Sequence, residues 1–147
     1  PDRVEDARAI LAAAEEKGVQ IVLPVDVVVA KEVTRGTEHK TLSVDKVPAS
    51  WHIVDVGKQS LENIEAALAD VKTVLWNGPL GVFEIPSFAH GTKTVARFLA
   101  DLTGLDAQRI WEWGYIERVT TGLLCLREGH DEWGRDFMAV AEAWSHA

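Results

Sequence analysis

The stretch VLWNGPLGVFEIPSF, residues 74–88, decides how this chain reads. An apolar run ending in Trp76 passes into Asn77-Gly78-Pro79, a turn dipeptide backed by a proline. Gly81 permits a second close backbone approach. In open α/β sheets, ligands bind just beyond the carboxyl ends of strands, so this loop is where a ligand would sit. Leu80, Val82 and Phe83 can wall a flat base, and the carboxylate of Glu84 can accept hydrogen bonds from sugar hydroxyls. The same residues also fit a plain turn with a solvated glutamate. Spacing alone leaves both readings open.

Outward from the loop, the pattern predicts alternating helices and strands. Val4, Ala7, Ile10, Leu11 and Ala14 keep helical spacing, and Gly18 stands where a terminating glycine belongs. VQIVLP and VDVVVA follow (residues 19–30), continuous Val/Ile/Leu of the kind found in parallel strands buried on both faces. Residues 32–40 read as a loop and 41–44 as a short strand stopped before Pro48. WHIVDV (51–56) is a further strand candidate, closed by Gly57. Ser60 reads as the N-cap of a helix carrying Leu61, Ile64, Ala67 and Leu68. VKTVLW (71–76) reads as another buried strand, and residues 92–102 return to helical spacing. The fold class expected is α/β, a partial Rossmann-like and mostly parallel sheet with crossover helices.

The character changes at Thr103. Two helices are predicted, 107–127 capped by Asp106, and 132–144 beyond the terminator Gly129. The organisation expected is therefore residues 1–102 as a partial nucleotide-binding domain and 103–147 as a helical tail of different origin. Trp111, Trp113, Trp133 and Trp144 lie in that tail and are expected to bury apolar area.

Bulk properties set bounds on function. The chain has 147 residues and a net charge of -8. No basic stripe is present to neutralise phosphates, which argues against nucleic acid and against an anionic membrane surface as partners. The single cysteine, Cys125, permits no internal disulfide and fits a reducing, cytoplasmic setting. The longest apolar run, 21–30, is interrupted by Pro24 and Asp26 and is too short to span a bilayer. The chain opens on Pro1 in helix-like sequence without a basic, then apolar, leader; this reads as an excised piece without a signal peptide.

Two long segments then carry a resemblance. VQIVLPVDVVVAKEV (19–33) and VKTVLWNGPLGVFEIPSFAHGTKTVA (71–96), with the DVG turn between them, are similar to the second domain of phosphoglycerate kinases, over about residues 3–102. The resemblance implies transfer of a phosphoryl group between MgATP and 3-phosphoglycerate. It implies that Glu84 bonds the ribose of ATP or ADP. It further implies that Asn77, Gly78, Pro79 and Val82 line the nucleotide site and that Val54, where the family has a leucine, lies against the adenine. The turn continues Gly57-Lys58-Gln59 where the family has GPK or GPE, a difference to which no function attaches.

The resemblance also shows what is absent. Phosphoryl transfer is positioning plus charge stabilisation. The family's glycine-rich GGG segment, its GGGDS segment with the magnesium-binding aspartate, its STGGG segment and its acceptor-binding Arg/His cluster do not occur in this chain. No residue is accordingly assigned a catalytic or metal-binding role. The tail stretch WEWGYIERVTTGLLCLREG (111–129) is similar to the C-terminal helices of aminoglycoside-type phosphotransferases, over a short stretch that carries no catalytic motif. A chimera is the simplest account.

Other candidates read blandly. His130-Asp131-Glu132 are sequence neighbours that do not face one another on a helix, so a helix start is expected rather than a metal site. Cys125, Thr120, Thr121 and Tyr115 read as packing residues. Three functions stay open: an inactive kinase fragment, a weak adenine-nucleotide module, and a chimeric domain whose tail covers exposed sheet.

Overall fold

The structure is a computed structural model that describes residues 3–145. Helix α1 (Val4–Glu16) ends as predicted, with Gly18 at φ 64° just past the C-cap Lys17. None of its residues is buried, so Val4, Ile10 and Leu11 face solvent.

Three strands follow: β1 (Asp26–Ala30), β2 (His39–Ser43) and β3 (His52–Val56). They form one sheet in the order β2-β1-β3, and β1 pairs antiparallel with both neighbours. This corrects the mostly parallel, Rossmann-like sheet expected from the sequence. The link 31–38 is too short for a parallel crossover, which takes a dozen residues or more, so β2 turns back antiparallel beside β1. The link 44–51 then carries the chain to the other edge of β1, where β3 pairs antiparallel to it. The continuous Val run was misleading, because β1 is simply the central strand. Val27, Val29 and Ala30 are buried and both edges of β1 are occupied.

Two predicted strand regions form no ladder. Residues 19–25 and 71–76 carry no strand, and Leu75 is 94% exposed. A doubly buried strand needs a neighbour and cover on both faces. Neither stretch joins the outer edge of β2 or of β3, and the sheet has three strands.

The β1–β3 pairing carries a bulge. Val28 pairs with Asp55 and Val29 with Ile53, so Val54 is left without a partner in β1. A bulge turns the strand and re-aims side chains. Here it breaks the usual in-out alternation, and Val54, Asp55 and Val56 are all buried in succession.

Helix α2 (Lys58–Leu68) starts earlier than predicted. Gly57 is its N-cap and Ser60 lies inside the first turn. Helix α3 (His90–Thr103) ends on Gly104 in the left-handed region at φ 68°. The two helices close one core cluster of Val56, Leu61, Val95 and Leu99, and Trp76 and Leu80 pack against it. A second cluster joins Ala30, Val54 and Phe88, with Val28, Val82 and Ile85 alongside.

The tail forms a helical hairpin, α4 (Ala107–Arg127) and α5 (Asp131–Ser145). Asp106 caps α4 as predicted: its carboxylate accepts from the Gln108 N–H at 2.7 Å. His130-Asp131-Glu132 opens α5, and the His130 carbonyl takes the first helical N–H, from Gly134. The hairpin packs chiefly on itself and next on α3. Trp133 overturns the expectation of a buried tail tryptophan. It is 61% exposed and stacks on His130 with ring centroids 5.5 Å apart. The side chains of Trp111, Trp113, Tyr115 and Trp144 lie outside the described residues.

Candidate functional site

The loop between α2 and α3 is held by contacts at its two shoulders. On one shoulder the Trp76 indole N–H donates to the Gly78 carbonyl at 2.5 Å. This contact spans a turn in which Gly78 has φ 83°, a backbone region that favours glycine. The Leu80 N–H then donates to Thr92 Oγ1 of α3 at 3.1 Å. On the other shoulder the Val82 N–H donates to the Val54 carbonyl at 2.8 Å. Two further turns, Ile85 N–H to Val82 and Phe88 N–H to Ile85, bring the chain into α3.

The sequence-predicted residues therefore fall into two sets. Val54 and Val82 meet, through both a hydrogen bond and the cluster they share with Phe88. Val54 is 1% exposed, so it is the floor beneath Val82 and not part of the loop's outer surface. Asn77, Gly78, Pro79 and Glu84 are exposed along the outside of the loop. The structure thus joins the apolar floor and presents the polar residues outward.

Sequence reasoning missed two buried or half-buried carboxylates that organise this end of the sheet. Asp26, at the start of β1, accepts from the Ser60 N–H at 2.8 Å and the Gln59 N–H at 3.2 Å, at the first turn of α2. Ser60 Oγ lies 2.7 Å from that carboxylate and also accepts the Val25 and Asp26 N–H groups. Desolvation pushes the Asp26 carboxyl up, but the hydroxyl and N–H donors together outweigh it and hold the group below its ordinary value.

Asp55 is the second. It is 2% exposed and accepts from the Gly91 N–H at 2.9 Å, at the start of α3, and from its own Val56 N–H at 2.8 Å. Burial pushes its carboxyl above the ordinary range, against the pull of those two donors and of nearby His90. The signal for both was available, since a lone carboxylate in an apolar run is expensive to bury unless donors meet it.

These caps bear on what the site can hold. A helix N-terminus is a natural anion site, yet α2 and α3 both have theirs filled by the chain's own carboxylates. Among the described residues, no group of three or more His, Cys, Asp or Glu side chains converges as a metal cluster would. Asp26 and Asp55 are both engaged as caps, so the residues here do not fit a magnesium site.

Fold and site together define a piece of an α/β domain whose distinctive feature is a strand-supported loop leading into a helix. The family profile of phosphoglycerate kinase matches residues 1–114. The chain belongs to the phosphoglycerate kinase family. It is 48% identical over 109 residues to the phosphoglycerate kinase of a Synechococcus species, and 48% identical over 103 residues to that of Fervidobacterium nodosum. Those matches cover 74% and 69% of this chain but only 27% and 26% of the relatives, so the chain spans about a quarter of their length. Among solved structures, the Coxiella burnetii phosphoglycerate kinase superposes with a TM-score of 0.66 at 35% identity, over 68% of this chain and 26% of that one. The Pyrococcus horikoshii enzyme gives 0.54 at 29% identity, over 68% and 24%. The matched region ends inside α4. No helix among the described residues is long and apolar enough to cross a membrane.

Proposed function

We propose that this chain is a non-catalytic piece of a cytoplasmic phosphoglycerate kinase that keeps weak affinity for the nucleoside end of ATP or ADP. The observation that supports this most is the loop itself, seated on Val54 through Val82 with Asn77, Gly78, Pro79 and Glu84 turned outward. In this reading Glu84 accepts from the ribose hydroxyls, and Val82, held from below by Val54, gives the base an apolar wall. Asn77, Gly78 and Pro79 form the rim.

Binding would be weak for a physical reason. The GGGDS segment is absent from the sequence, and both nearby helix N-termini are capped by aspartates. Without phosphate contacts, affinity no tighter than roughly millimolar is expected. Magnesium would arrive with the nucleotide, and 3-phosphoglycerate has no assigned contact. Residues 103–147 act in this account as a separate helical unit.

The test is a coupled assay with MgATP and 3-phosphoglycerate, run beside titration of ADP against tryptophan fluorescence. Positioning and electrostatic stabilisation each account for many kcal/mol of a barrier, so no turnover above background is expected. A saturable, weak fluorescence change is expected from Trp76 beside the loop. Turnover within a few orders of magnitude of an intact enzyme contradicts the first half of the proposal. A flat titration to tens of millimolar contradicts the second.

A further inference from the structure

The geometry points to Asp55 as the positioning residue of the loop: a buried carboxylate that locks the Gly81 backbone and the start of α3 onto the bulged end of β3. Two hydrogen bonds and one close approach of backbone converge on it. Its carboxylate takes the Gly91 N–H at 2.9 Å, which ties it to the first turn of α3. It takes the Val56 N–H at 2.8 Å, which fixes its own rotamer against the strand. Gly81 lies so close that a Cβ there would come within 2.7 Å of Asp55 Oδ1, of the Val54 carbonyl and of the Phe88 carbonyl. A Cβ at Gly91 would come within 2.5 Å of the same Asp55 oxygen.

Asp55 thus sits where the backbone of the loop and of α3 come closest to β3. Two glycines make room for it, one from the loop and one from the helix. The β3 bulge at Val54 makes this possible, because it lets Val54 and Asp55 both point inward. Val54 then supports Val82 from below while Asp55 fixes the chain on either side, at Gly81 and Gly91. Its carboxylate is engaged by the Gly91 and Val56 N–H groups, so its effect on a ligand passes through the loop's position.

The link to nucleotide affinity rests on the function proposed above; the link to loop position does not. The test uses the full chain with two variants, Asp55→Asn and Gly81→Ala, read by amide hydrogen exchange at neutral pH. The first removes one of the two acceptors. The second keeps Asp55 and its helix contact but sets a Cβ against Asp55 Oδ1 and equally against the Val54 and Phe88 carbonyls, so it displaces the loop without altering the carboxylate. In both, exchange at the Leu80, Val82 and Gly91 amides is expected to accelerate at least tenfold, while the Val28 and Val29 amides of β1 keep their protection. Acceleration spread equally over β1 makes Asp55 an ordinary core residue and overturns the inference. Unchanged Val82 exchange in Gly81→Ala overturns it as well, even where Asp55→Asn fails to fold. ADP titration of the same proteins forms a separate arm. If the parent binds, both variants should weaken binding several-fold, and equal affinity overturns the positioning role. If the parent does not bind, the functional reading fails and the exchange result still decides the structural claim.

Discussion

At the residue scale, two aspartates do opposite things with the same chemistry. Asp26 is held below the ordinary aspartate value of 3.8 by Ser60 and Gln59 donors. Its ionised form is the one the fold prefers, so its contribution is complete above the unfolded value and is lost as pH falls through the lowered one. Asp55 is pushed above 3.8 by burial. The fold prefers its protonated form, so its contribution is complete below the unfolded value and is lost as pH rises through the raised one. Asp26→Ala should cost about 2 kcal/mol near neutral pH, in the range of a lost helix cap with charged hydrogen bonds. Urea unfolding checks this, and the deficit should shrink on acidification below 3.8. The stability gap between the parent and Asp55→Asn should move the other way, falling as pH rises above 3.8. A gap that is flat with pH would show that Asp55 titrates alike in the folded and unfolded chain. Neither cap was read from the sequence, although Asp26 stood out as a charge interrupting an apolar run. Propensity patterns register such a residue as a break, and only pairing across 34 positions reveals its donors.

At the element scale, the legible features were those set by local chemistry. Gly18 and Gly129 adopt positive φ just past helix ends, and Asp106 caps α4 through its side chain. Those ends followed the sequence, while α2 and α3 begin ahead of the residues expected to open them. Strand direction did not follow it, because a run of valines reports burial and not the direction of its neighbour. The bulge at Val54 was equally hidden, since it depends on the register between two distant segments. The loop motif was legible as a unit, and the structure adds what anchors it. Phe88, in the short 3-10 turn Pro86–Phe88, is fully buried against Ala30 and Val54 and fixes the loop's exit into α3. Phe88→Ala should destabilise the chain by about 3–5 kcal/mol, the range for emptying a phenylalanine site in a packed core. Denaturant unfolding monitored by tryptophan fluorescence reads this directly, and a cost below ~1 kcal/mol would show that the site collapses without penalty.

At the scale of the whole molecule, the chain is two packing units of unequal standing. Among the described residues, the two core clusters lie in the α/β portion, while α4 and α5 pack chiefly on each other. The idea that the tail covers exposed sheet finds little support, because its next contact is α3 and not a strand. Ending the chain after Gly104 should therefore lower the melting temperature of the α/β portion by no more than about 4–8 °C, the shift expected for ~1 kcal/mol in a domain of this size. Aggregation of that truncated chain at low concentration would instead restore the covering role. The same division bears on function. In the proposed reading the ligand meets one loop and its supports, with α2 and α3 already capped where phosphates would otherwise find N–H donors. The measurement that addresses this most directly is an ADP titration of the labelled full chain followed by amide chemical shifts. Saturable shifts centred on Trp76, Asn77, Gly78, Val82 and Glu84, absent in Glu84→Ala, are the predicted result. Shifts that are absent from the loop, or that persist unchanged in Glu84→Ala, would contradict it.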